Sequence, residues 1–166
     1  MITIRRIRAD EGMAFRAIRR RAIGESPRAF GSTPAEIEAR PPRYWEERAR
    51  QGAEGVDNVL LVADHGATWV GVVAGFLDDA ASARGVDVVS MWVDPAYRGQ
   101  GLGRALIEAV LDWARERRAV QATLWVTENN APAMTLYRRA GFTETGDTQA
   151  LPSHPELSEV KMVLDL

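Results

Sequence analysis

The chain has 166 residues, a length that predicts a single domain over 1–166. Its formal net charge of −2 gives no bulk electrostatic case for nucleic acid, and the lack of cysteine excludes disulfides, thiolate zinc sites and a cysteine nucleophile. No apolar run approaches the ~20 residues of a membrane span, and the first residues lack the apolar core of a signal peptide, so we expect a cytoplasmic protein without a membrane partner.

The first elements predicted are a strand and a helix. Alternating isoleucines indicate a strand over 2–7, and Asp10 resembles the N-cap of the helix that follows. The apolar stripe of this helix is predicted from residues at helical spacing: Met13, Ala14, Ala17, Ile18 and Ala22. Two arginine-rich stretches, 5–8 and 19–21, are expected to form solvated faces.

A second helical region and a hairpin come next. Thr33 before a proline predicts a helix cap, with a helix from residue 34 to about Gln51 that is interrupted or bent at Pro41-Pro42. Two apolar runs, Val59–Ala63 and Trp69–Leu77, predict the paired strands of the hairpin.

A strand, a glycine-rich turn and a helix occupy the middle of the chain. After a connection over 78–85, the strand Asp87–Val93 leads into the segment 98–104, which has glycine at three alternate positions. Apolar residues at helical spacing over 102–113 predict the helix. Glycine lets the main chain approach a ligand closely, and the first N–H groups of a helix lack intrahelical partners and attract anions. The arrangement therefore predicts a pyrophosphate-binding turn.

The spacing of the glycines distinguishes this turn from two well-known types of phosphate-binding loop. A Walker loop requires Gly-Lys-Ser or Gly-Lys-Thr, whereas Gly103 is followed by Arg104 and Ala105. The dinucleotide fingerprint G-x-G-x-x-G fits neither register, because its last position falls on Arg104 or Leu106. The alternative to a phosphate site is an ordinary strand-to-helix turn.

The last part of the chain continues the pattern of strands and helices. Ala122–Val126 predicts a strand parallel to the one before the glycines, because a helix joins the two. Asn130 predicts the cap of a further helix. Two more strands are expected over 142–151 and 160–166, with a loop over Pro152–Pro155 between them.

Two motifs resemble those of the GNAT family of N-acetyltransferases. Arg98-x-x-Gly101-x-Gly103 is similar to the family's R/Q-x-x-G-x-G/A loop, which holds the pyrophosphate of acetyl-coenzyme A (acetyl-CoA). The segment N-x-x-A-x-x-L-Y-x-x-x-G-F at 130–142 resembles a second family motif and begins about 27 residues after Gly103. The resemblance covers nearly the whole chain. It implies an α/β GNAT fold, with a mixed central sheet of about seven strands flanked by about four helices.

The resemblance also implies which residues contact acetyl-CoA, the acetyl donor. Main-chain groups of Met91, Trp92 and Val93 would pair with its pantetheine chain, and an N–H of the same strand would polarise the thioester carbonyl. Asn130 and Ala133 would lie beside the pantetheine. The main chain, with two arginine side chains, would hold the pyrophosphate through Arg98, Gly99, Gln100, Gly101, Leu102, Gly103 and Arg104.

The same resemblance implies catalytic roles. Tyr137 would face the sulfur, and a phenol with a pKa of about 10 can protonate a thiolate, whose conjugate thiol has a pKa of about 8.5. A core tyrosine with a satisfied hydroxyl is the alternative. Asp87 is predicted to deprotonate the amine through water, unless it is only a surface carboxylate. Where some family members carry a glutamate on the next strand, this chain has Trp125. We expect direct transfer in a ternary complex without a metal.

The resemblance further implies that the acceptor lies among the first two helices, their loop and the last hairpin. Phe30 and Tyr44 would form aromatic walls, and His154, in the loop before the last strand, would touch the acceptor or serve as a second base. An ordinary structural role is the alternative for each. Three glutamates in the same region would either attract a cationic amine or simply face solvent: Glu25, Glu36 and Glu38.

The predicted activity is acetyl transfer to a primary amine. A small molecule is favoured as the acceptor, because the chain has no spare segment for docking a peptide. The alternatives are a noncatalytic acyl-CoA-binding or sensing module on the same fold, and an acetyltransferase acting on protein N-termini or lysines. Members of the family commonly dimerise, so a homodimer is a further option, for which the sequence shows no interface.

Overall fold

The computed structural model describes residues 1–80 and 82–166, and Ala81, inside the predicted connection over 78–85, lies outside the described residues. In the described part the elements are β1 (Thr3–Arg6), α1 (Gly12–Glu25), α2 (Pro34–Ala39), α3 (Pro42–Glu54), β2 (Asn58–Asp64), β3 (Trp69–Asp78), β4 (Gly85–Val93), α4 (Leu102–Glu116), β5 (Gln121–Thr127), α5 (Ala131–Arg139), β6 (Thr143–Leu151) and β7 (His154–Asp165). The predicted order is confirmed. The second helical region forms two helices, α2 and α3, because the chain breaks at Pro41.

The strands form one mixed seven-stranded sheet in the order β1-β2-β3-β4-β5-β7-β6. Only β4 and β5 are parallel neighbours, as predicted for strands joined by a crossover helix. They pair only where Gly85–Asp87 meets Gln121–Thr123. Beyond these residues no pairing joins the two strands in the described ranges, so a gap opens toward their C-terminal ends.

Helices cover both faces of the sheet. Helices α4 and α5 pack on one face, where the buried cluster includes Leu106, Val110 and Tyr137. Helices α1 to α3 pack on the other face around Phe15, Trp45 and other buried residues. No helix in the described ranges combines the length and the apolar character needed to cross a membrane.

Helix α4 lies directly against β3 because two glycines leave room for it. A Cβ at Gly71 would lie 2.8 Å from Leu106 Cδ1, and a Cβ at Gly75 would lie 2.8 Å from Val110 Cγ2. Larger residues at either position would push the helix away from the sheet. This close packing fixes the N-terminus of α4 beyond the end of β4.

The predicted stripe of α1 is confirmed at Ile18 and Ala22, but its first part has the wrong phase. The residue before the helix is Glu11 rather than Asp10, and Met13 is 49% exposed. The buried residues of the helix are instead Gly12, Phe15, Ile18, Arg19, Ala22 and Ile23. This phase buries the large side chains of Phe15 and Ile23. It therefore removes more apolar surface from water than burial of the small alanines Ala14 and Ala17 would. It also buries Arg19, so the expectation of a solvated arginine face is wrong there.

The predicted loop over 152–155 is too long. Leu151 pairs with His154 across the two residues Pro152 and Ser153, so His154 begins β7 instead of lying in a loop. Pro155 has no N–H to donate and lies where the register of the β6–β7 ladder shifts. Because Pro152 and Pro155 predicted a loop, the first residues of β7 were not recognised as a strand from the sequence.

The start of α1 is joined to the sheet by an ion-pair network that predicts a pH dependence. Arg5 donates to Glu11 Oε1 at 2.7 Å and to Asp64 Oδ2 at 2.8 Å. The hydrogen bond from Arg5 outweighs partial burial and lowers the pKa of Glu11 to about 2. A carboxyl group with a depressed folded-state pKa stabilises above its unfolded pKa, and that contribution is lost as the pH falls toward the folded value.

We therefore expect stability to fall by on the order of 1–3 kcal/mol between about pH 4.5 and 2 because of Glu11. Urea melts across this range would show a shallower pH slope for Glu11→Gln than for the unmodified chain. Glu116→Gln, at an exposed position at the end of α4, is the control and should keep the original slope. Identical slopes for all three chains would contradict the prediction.

Candidate active site

A cavity of about 650 Å³ opens at the C-terminal end of β4. Its walls are the end of β4, the glycine turn, one side of α5 and the segment Ser26–Phe30 that follows α1. The predicted cofactor residues that line it are Met91, Trp92, Val93, Arg98, Gly99, Gly101, Gly103, Arg104, Asn130, Ala133 and Tyr137. The sequence thus selected residues from three separate elements that the fold brings together.

The glycine turn presents a row of free main-chain donors. Gly99 and Gly101 have φ values of 76° and 82°, in the left-handed region that favours glycine. The first main-chain hydrogen bond of α4 is donated by Ala105 N to Gly101 O at 3.0 Å. Within the described part of the chain, no N–H group from Gly99 to Arg104 donates a hydrogen bond. Six consecutive donors at a helix N-terminus suit an anion with several oxygens. Gln100 and Leu102 belong to this row through their main chain.

A bulge in β4 shapes the wall next to the glycine turn. Ser90 has a φ of 59°, which is unusual for a residue other than glycine, and the β3–β4 register shifts beside it. After the bulge, Met91 packs toward α4 and Trp92 packs toward α1. The side of β4 that faces β5 is unpaired from Val88 onward, in the part of the sheet that is described. An extended ligand can hydrogen-bond there as an added strand would.

The side chain of Arg98 is held by the protein itself. Its Nε donates to Val93 O at 2.9 Å, and its terminal nitrogens donate to Glu25 at 3.2 and 2.8 Å. Glu25 also accepts from Trp92 Nε1 at 3.0 Å and from Ser26 Oγ. Partial burial raises the pKa of Glu25, but these hydrogen bonds outweigh it and lower the pKa to about 2. Glu25 is therefore a carboxylate that joins α1 to the end of β4.

Arg104 is similarly engaged. Its Nε donates to Glu108 Oε1 at 2.7 Å, and its Nη1 donates to Arg139 O at 3.0 Å, which joins the start of α4 to the end of α5. With both arginines bonded within the protein, the main-chain N–H row is the clearest anion-binding feature of the turn. The arginines add positive charge beside it.

Tyr137 lies deep in the cavity wall on α5. The residue is only 8% exposed, and its ring meets Phe142 edge to face at 6.1 Å. No hydrogen bond of its hydroxyl group to another described residue is present. Burial raises the pKa of the Tyr137 phenol above its ordinary value of 10.0, so the hydroxyl stays protonated at neutral pH. A protonated phenol without a protein partner is available to donate to a ligand.

Asn130 positions α5 and leaves part of its amide group available. Its side-chain oxygen accepts from Ala133 N at 3.3 Å, which caps the helix as predicted. Gly141, with a φ of 104°, follows the last turn of α5. Asn130 also lines the cavity, and its side-chain NH₂ donates no hydrogen bond within the described residues. The capped helix holds Tyr137 two turns further along.

The remaining predicted site residues have different surroundings. Phe30 lines the cavity, but Tyr44 lies on α3 beside a second cavity. Asp87 is exposed and accepts from Thr123 Oγ1 at 2.6 Å, across the last pair of the parallel ladder. Among the described residues, neither Tyr44, Asp87 nor His154 lines the first cavity.

His154 is connected to the cavity through its neighbour. Its Nδ1 lies 3.0 Å from Ser153 Oγ, which donates to Phe30 O. Thr127 Oγ1 at the end of β5 donates to Arg28 O at 2.9 Å. These bonds place the hairpin turn and the end of β5 against the segment after α1. The segment after α1 and the last hairpin, two of the regions expected to select the acceptor, are therefore in contact, while their role toward an acceptor stays a prediction.

Sequence reasoning missed the structural role of Glu25. Its hydrogen-bond partners Trp92 and Arg98 lie 67 and 73 residues further along the chain. No local pattern predicts pairing over such separations. The expectation that Glu25 attracts a cationic amine does not fit a carboxylate that already accepts from three side chains.

A metal site is not indicated by the donor groups. Within residues 1–80 and 82–166, no group of three or more His, Cys, Asp or Glu side chains is placed to hold a metal ion. The metal-free reaction stays a prediction.

Comparisons with known proteins agree with the fold and the motifs. A family model described as the acetyltransferase (GNAT) family matches residues 22–142. Streptothricin acetyltransferase from Streptomyces lavendulae is 36% identical over 123 residues, covering 70% of this chain and 65% of that protein. Mycothiol acetyltransferase from Clavibacter sepedonicus is 31% identical over 134 residues, covering 81% of this chain and 40% of that protein. The matches thus span less than two thirds of the length of these relatives.

A solved structure shows the same fold over the whole chain. The acetyltransferase of the GNAT family from Streptococcus pneumoniae superposes with a TM-score of 0.83 at 20% identity, covering 100% of this chain and 99% of that one. At this identity the likeness concerns the fold alone.

Proposed function

The chain belongs to the GNAT family of acetyltransferases, and from this premise we propose that it moves the acetyl group of acetyl-CoA to a primary amine in a ternary complex. The observation that carries the proposal is the row of unpaired N–H groups from Gly99 to Arg104, in a turn that lines the same cavity as Tyr137. The row supplies donors for a diphosphate, and the cavity also presents a phenol.

The residues of the cavity fit acetyl-CoA as the donor. The N–H row would hold its diphosphate, and the unpaired edge of β4 from Val88 to Val93 would hydrogen-bond the pantetheine chain. When bound, acetyl-CoA supplies a thioester, whose carbonyl is activated by any N–H directed at its oxygen. The bulge at Ser90 turns the main chain of β4 at this point, which favours Met91 and Trp92 as the residues that supply that N–H.

Tyr137 is proposed as the general acid. Its buried phenol is protonated at neutral pH, and it donates its proton to the sulfur as the C–N bond forms and the C–S bond breaks. The amine loses one proton in forming the amide, and the phenolate regains one from the amine or from solvent, so free thiol leaves and the phenol is restored.

The base is the less defined part of the reaction. Asp87 stays the predicted base, acting through water, although its hydrogen bond to Thr123 and its exposure favour a surface role. The amine would otherwise enter already neutral, after losing its proton to solvent. Asp87→Asn distinguishes a general base at Asp87 from an amine that enters already neutral. Loss of a general base lowers kcat/KM more at low pH, where the free amine is mostly protonated, than at high pH.

We propose a small molecule as the acceptor. The two relatives described above have small-molecule names. The segment Ser26–Phe30 contributes to the cavity wall, and a hydrogen bond from Ser153 to Phe30 O holds it against the β6–β7 turn. A protein N-terminus or lysine is the alternative acceptor. A noncatalytic acyl-CoA-binding module is the alternative function, and a buried, protonated Tyr137 in the cavity favours an enzyme.

Acetyl-CoA is expected to raise the melting temperature of the protein. A ligand at about 100 times its Kd stabilises the native state by about 2.7 kcal/mol. For a domain of this size the shift is roughly 5–10 °C. ATP or NAD at the same concentration should shift the melting temperature much less, and equal shifts would contradict a coenzyme A site.

A panel of amines with acetyl-CoA, read as release of free thiol, tests the transfer. Release that depends on one class of small amine supports the proposed enzyme and names the acceptor class. Stabilisation by acetyl-CoA without release for any small amine or peptide would instead support the noncatalytic module.

A further inference from the structure

Three arginines without acidic partners lie together on the face of the sheet covered by α1 to α3. Each guanidinium stacks on an aromatic ring: Arg19 lies 5.1 Å from the centre of Phe30, Arg40 lies 4.6 Å from Tyr44, and Arg48 lies 4.9 Å from Phe76. We call Arg19, Arg40 and Arg48 the arginine cluster. Among the described residues, no carboxylate forms an ion pair or hydrogen bond with any of the three.

Arg19 is the most unusual member. The residue is only 8% exposed, and its Nη1 is buried without a hydrogen-bond partner. Arg48 Nε is also buried and unpartnered. Burial, together with the charges of Arg40 and Arg48, lowers the pKa of Arg19 to about 10. A buried cation without a counter-ion destabilises a fold, so its presence requires a compensating partner or a function.

We propose that the arginine cluster binds an acidic group of the acceptor, so that the acetylated molecule is an amine that also carries a carboxylate or a phosphoryl group. The inference rests on the proposed function for its acceptor. Guanidinium groups bind both acids through paired, charge-assisted hydrogen bonds. Aromatic rings beneath the three cations hold the guanidinium planes in place and exclude water.

The cluster is adjacent to the proposed active site. Phe30 lines the first cavity and at the same time stacks against the Arg19 guanidinium. Tyr44 and Arg48 line the second cavity, which has a volume of about 690 Å³. Arg48 thus lines the second cavity, and Arg19 lies directly behind Phe30, which forms part of the wall of the first. An acceptor with its amine in the first cavity and its acid near Arg19 would pass over Phe30.

The pairing of the nearby glutamates supports an acidic acceptor rather than a cationic one. Glu25 accepts from Arg98 and Trp92, and Glu36 accepts from the main chain of Thr33 in a capping box with that residue. Glu38 pairs with two arginines of α1 that lie outside the cluster. Two of the three carboxylates that were expected to attract a cation, Glu25 and Glu38, are therefore already paired with arginines, whereas Glu36 serves as part of a helix cap. The arginine cluster itself has no such counter-charge among the described residues.

Matched acceptors with acetyl-CoA test the proposal. One arm compares an α-amino acid with its primary amide, and the other compares an aminoalkylphosphonate with the corresponding amino alcohol, so the two arms distinguish carboxylate from phosphoryl recognition. We expect kcat/KM to be about 10- to 100-fold higher for the acidic member of at least one pair. Arg19→Met should reduce that ratio to near one. Equal values within both pairs for the unmodified protein, or an unchanged ratio in the variant, would overturn the proposal.

Two further variants show whether a change in the kcat/KM ratio arises from loss of the arginine cluster or from a general loss of stability. Arg48→Met removes a less buried member of the cluster and should also reduce the ratio. Arg50→Met, on the same helix but at an exposed arginine paired with Glu47, is the control and should leave the ratio unchanged.

A second readout needs no acetyl transfer. Millimolar phosphate and malonate should raise the melting temperature of the unmodified protein and of Arg50→Met, and raise that of Arg19→Met by less than half as much. Equal shifts in all three proteins would overturn the arginine cluster as an anion site. If no amine releases thiol, the proposed function fails, and this binding measurement still decides the inference.

Discussion

Replacing Tyr137 by phenylalanine is expected to lower kcat by roughly 10²- to 10⁴-fold, the range for loss of a general acid. The affinity for acetyl-CoA should change little, because the ring that forms the cavity wall is retained. The hydroxyl group has no protein partner among the described residues, so its removal breaks no internal hydrogen bond. The loss therefore measures catalysis rather than folding.

Tyr97→Phe is the matched control for this experiment. Tyr97 lies in the turn before the glycines, and its hydroxyl is 3.0 Å from His65 Nδ1, away from the cavity. The control should keep both kcat and the Kd for acetyl-CoA. If Tyr137→Phe also keeps its kcat, or if both variants lose activity equally, Tyr137 is a core residue and not the acid.

Replacing Gly101 by valine is expected to weaken acetyl-CoA binding by about 10- to 100-fold. The φ of Gly101 is 82°, where a β-branched residue is strained by on the order of 1–3 kcal/mol. No heavy atom lies within 4 Å of a Cβ built there, so the effect arises from the backbone and not from crowding within the protein. Relief of the strain would turn the N–H groups of Leu102 and Gly103 away from their common direction.

Gly66→Val is a control that distinguishes the effect of backbone strain on stability from the effect of Gly101→Val on acetyl-CoA binding. Gly66, in the turn between β2 and β3, has a φ of 79°, and a Cβ there also meets no atom within 4 Å. Both variants should lose similar stability in urea melts, but only Gly101→Val should show a weaker Kd by calorimetry. Equal affinities in the two variants would mean that the turn does not hold the donor.

The local parts of the site could be predicted from the sequence. The glycine turn, the cap at Asn130 and the position of Tyr137 on α5 depend on signals within a few residues of each other. The parallel pairing of β4 and β5 followed from the helix between them. The residues that line the cavity were predicted through the resemblance of these local motifs to those of the GNAT family, and their roles toward acetyl-CoA stay predictions.

The parts that depend on distant contacts could not be predicted. The phase of α1 is decided by what packs against it, and the wrong phase concealed the burial of Arg19. An arginine between Phe15 and Ile23 at helical spacing is the signal that would have indicated it. Tyr44 and His154 were assigned to the acceptor region through the family resemblance, which does not say which cavity a side chain lines.

A structure of the protein with bound coenzyme A tests the central claim most directly. The account predicts diphosphate oxygens within about 2.7–3.2 Å of main-chain nitrogens between Gly99 and Arg104, with the sulfur beside the Tyr137 hydroxyl. A diphosphate held elsewhere, or a sulfur out of reach of Tyr137, would contradict it.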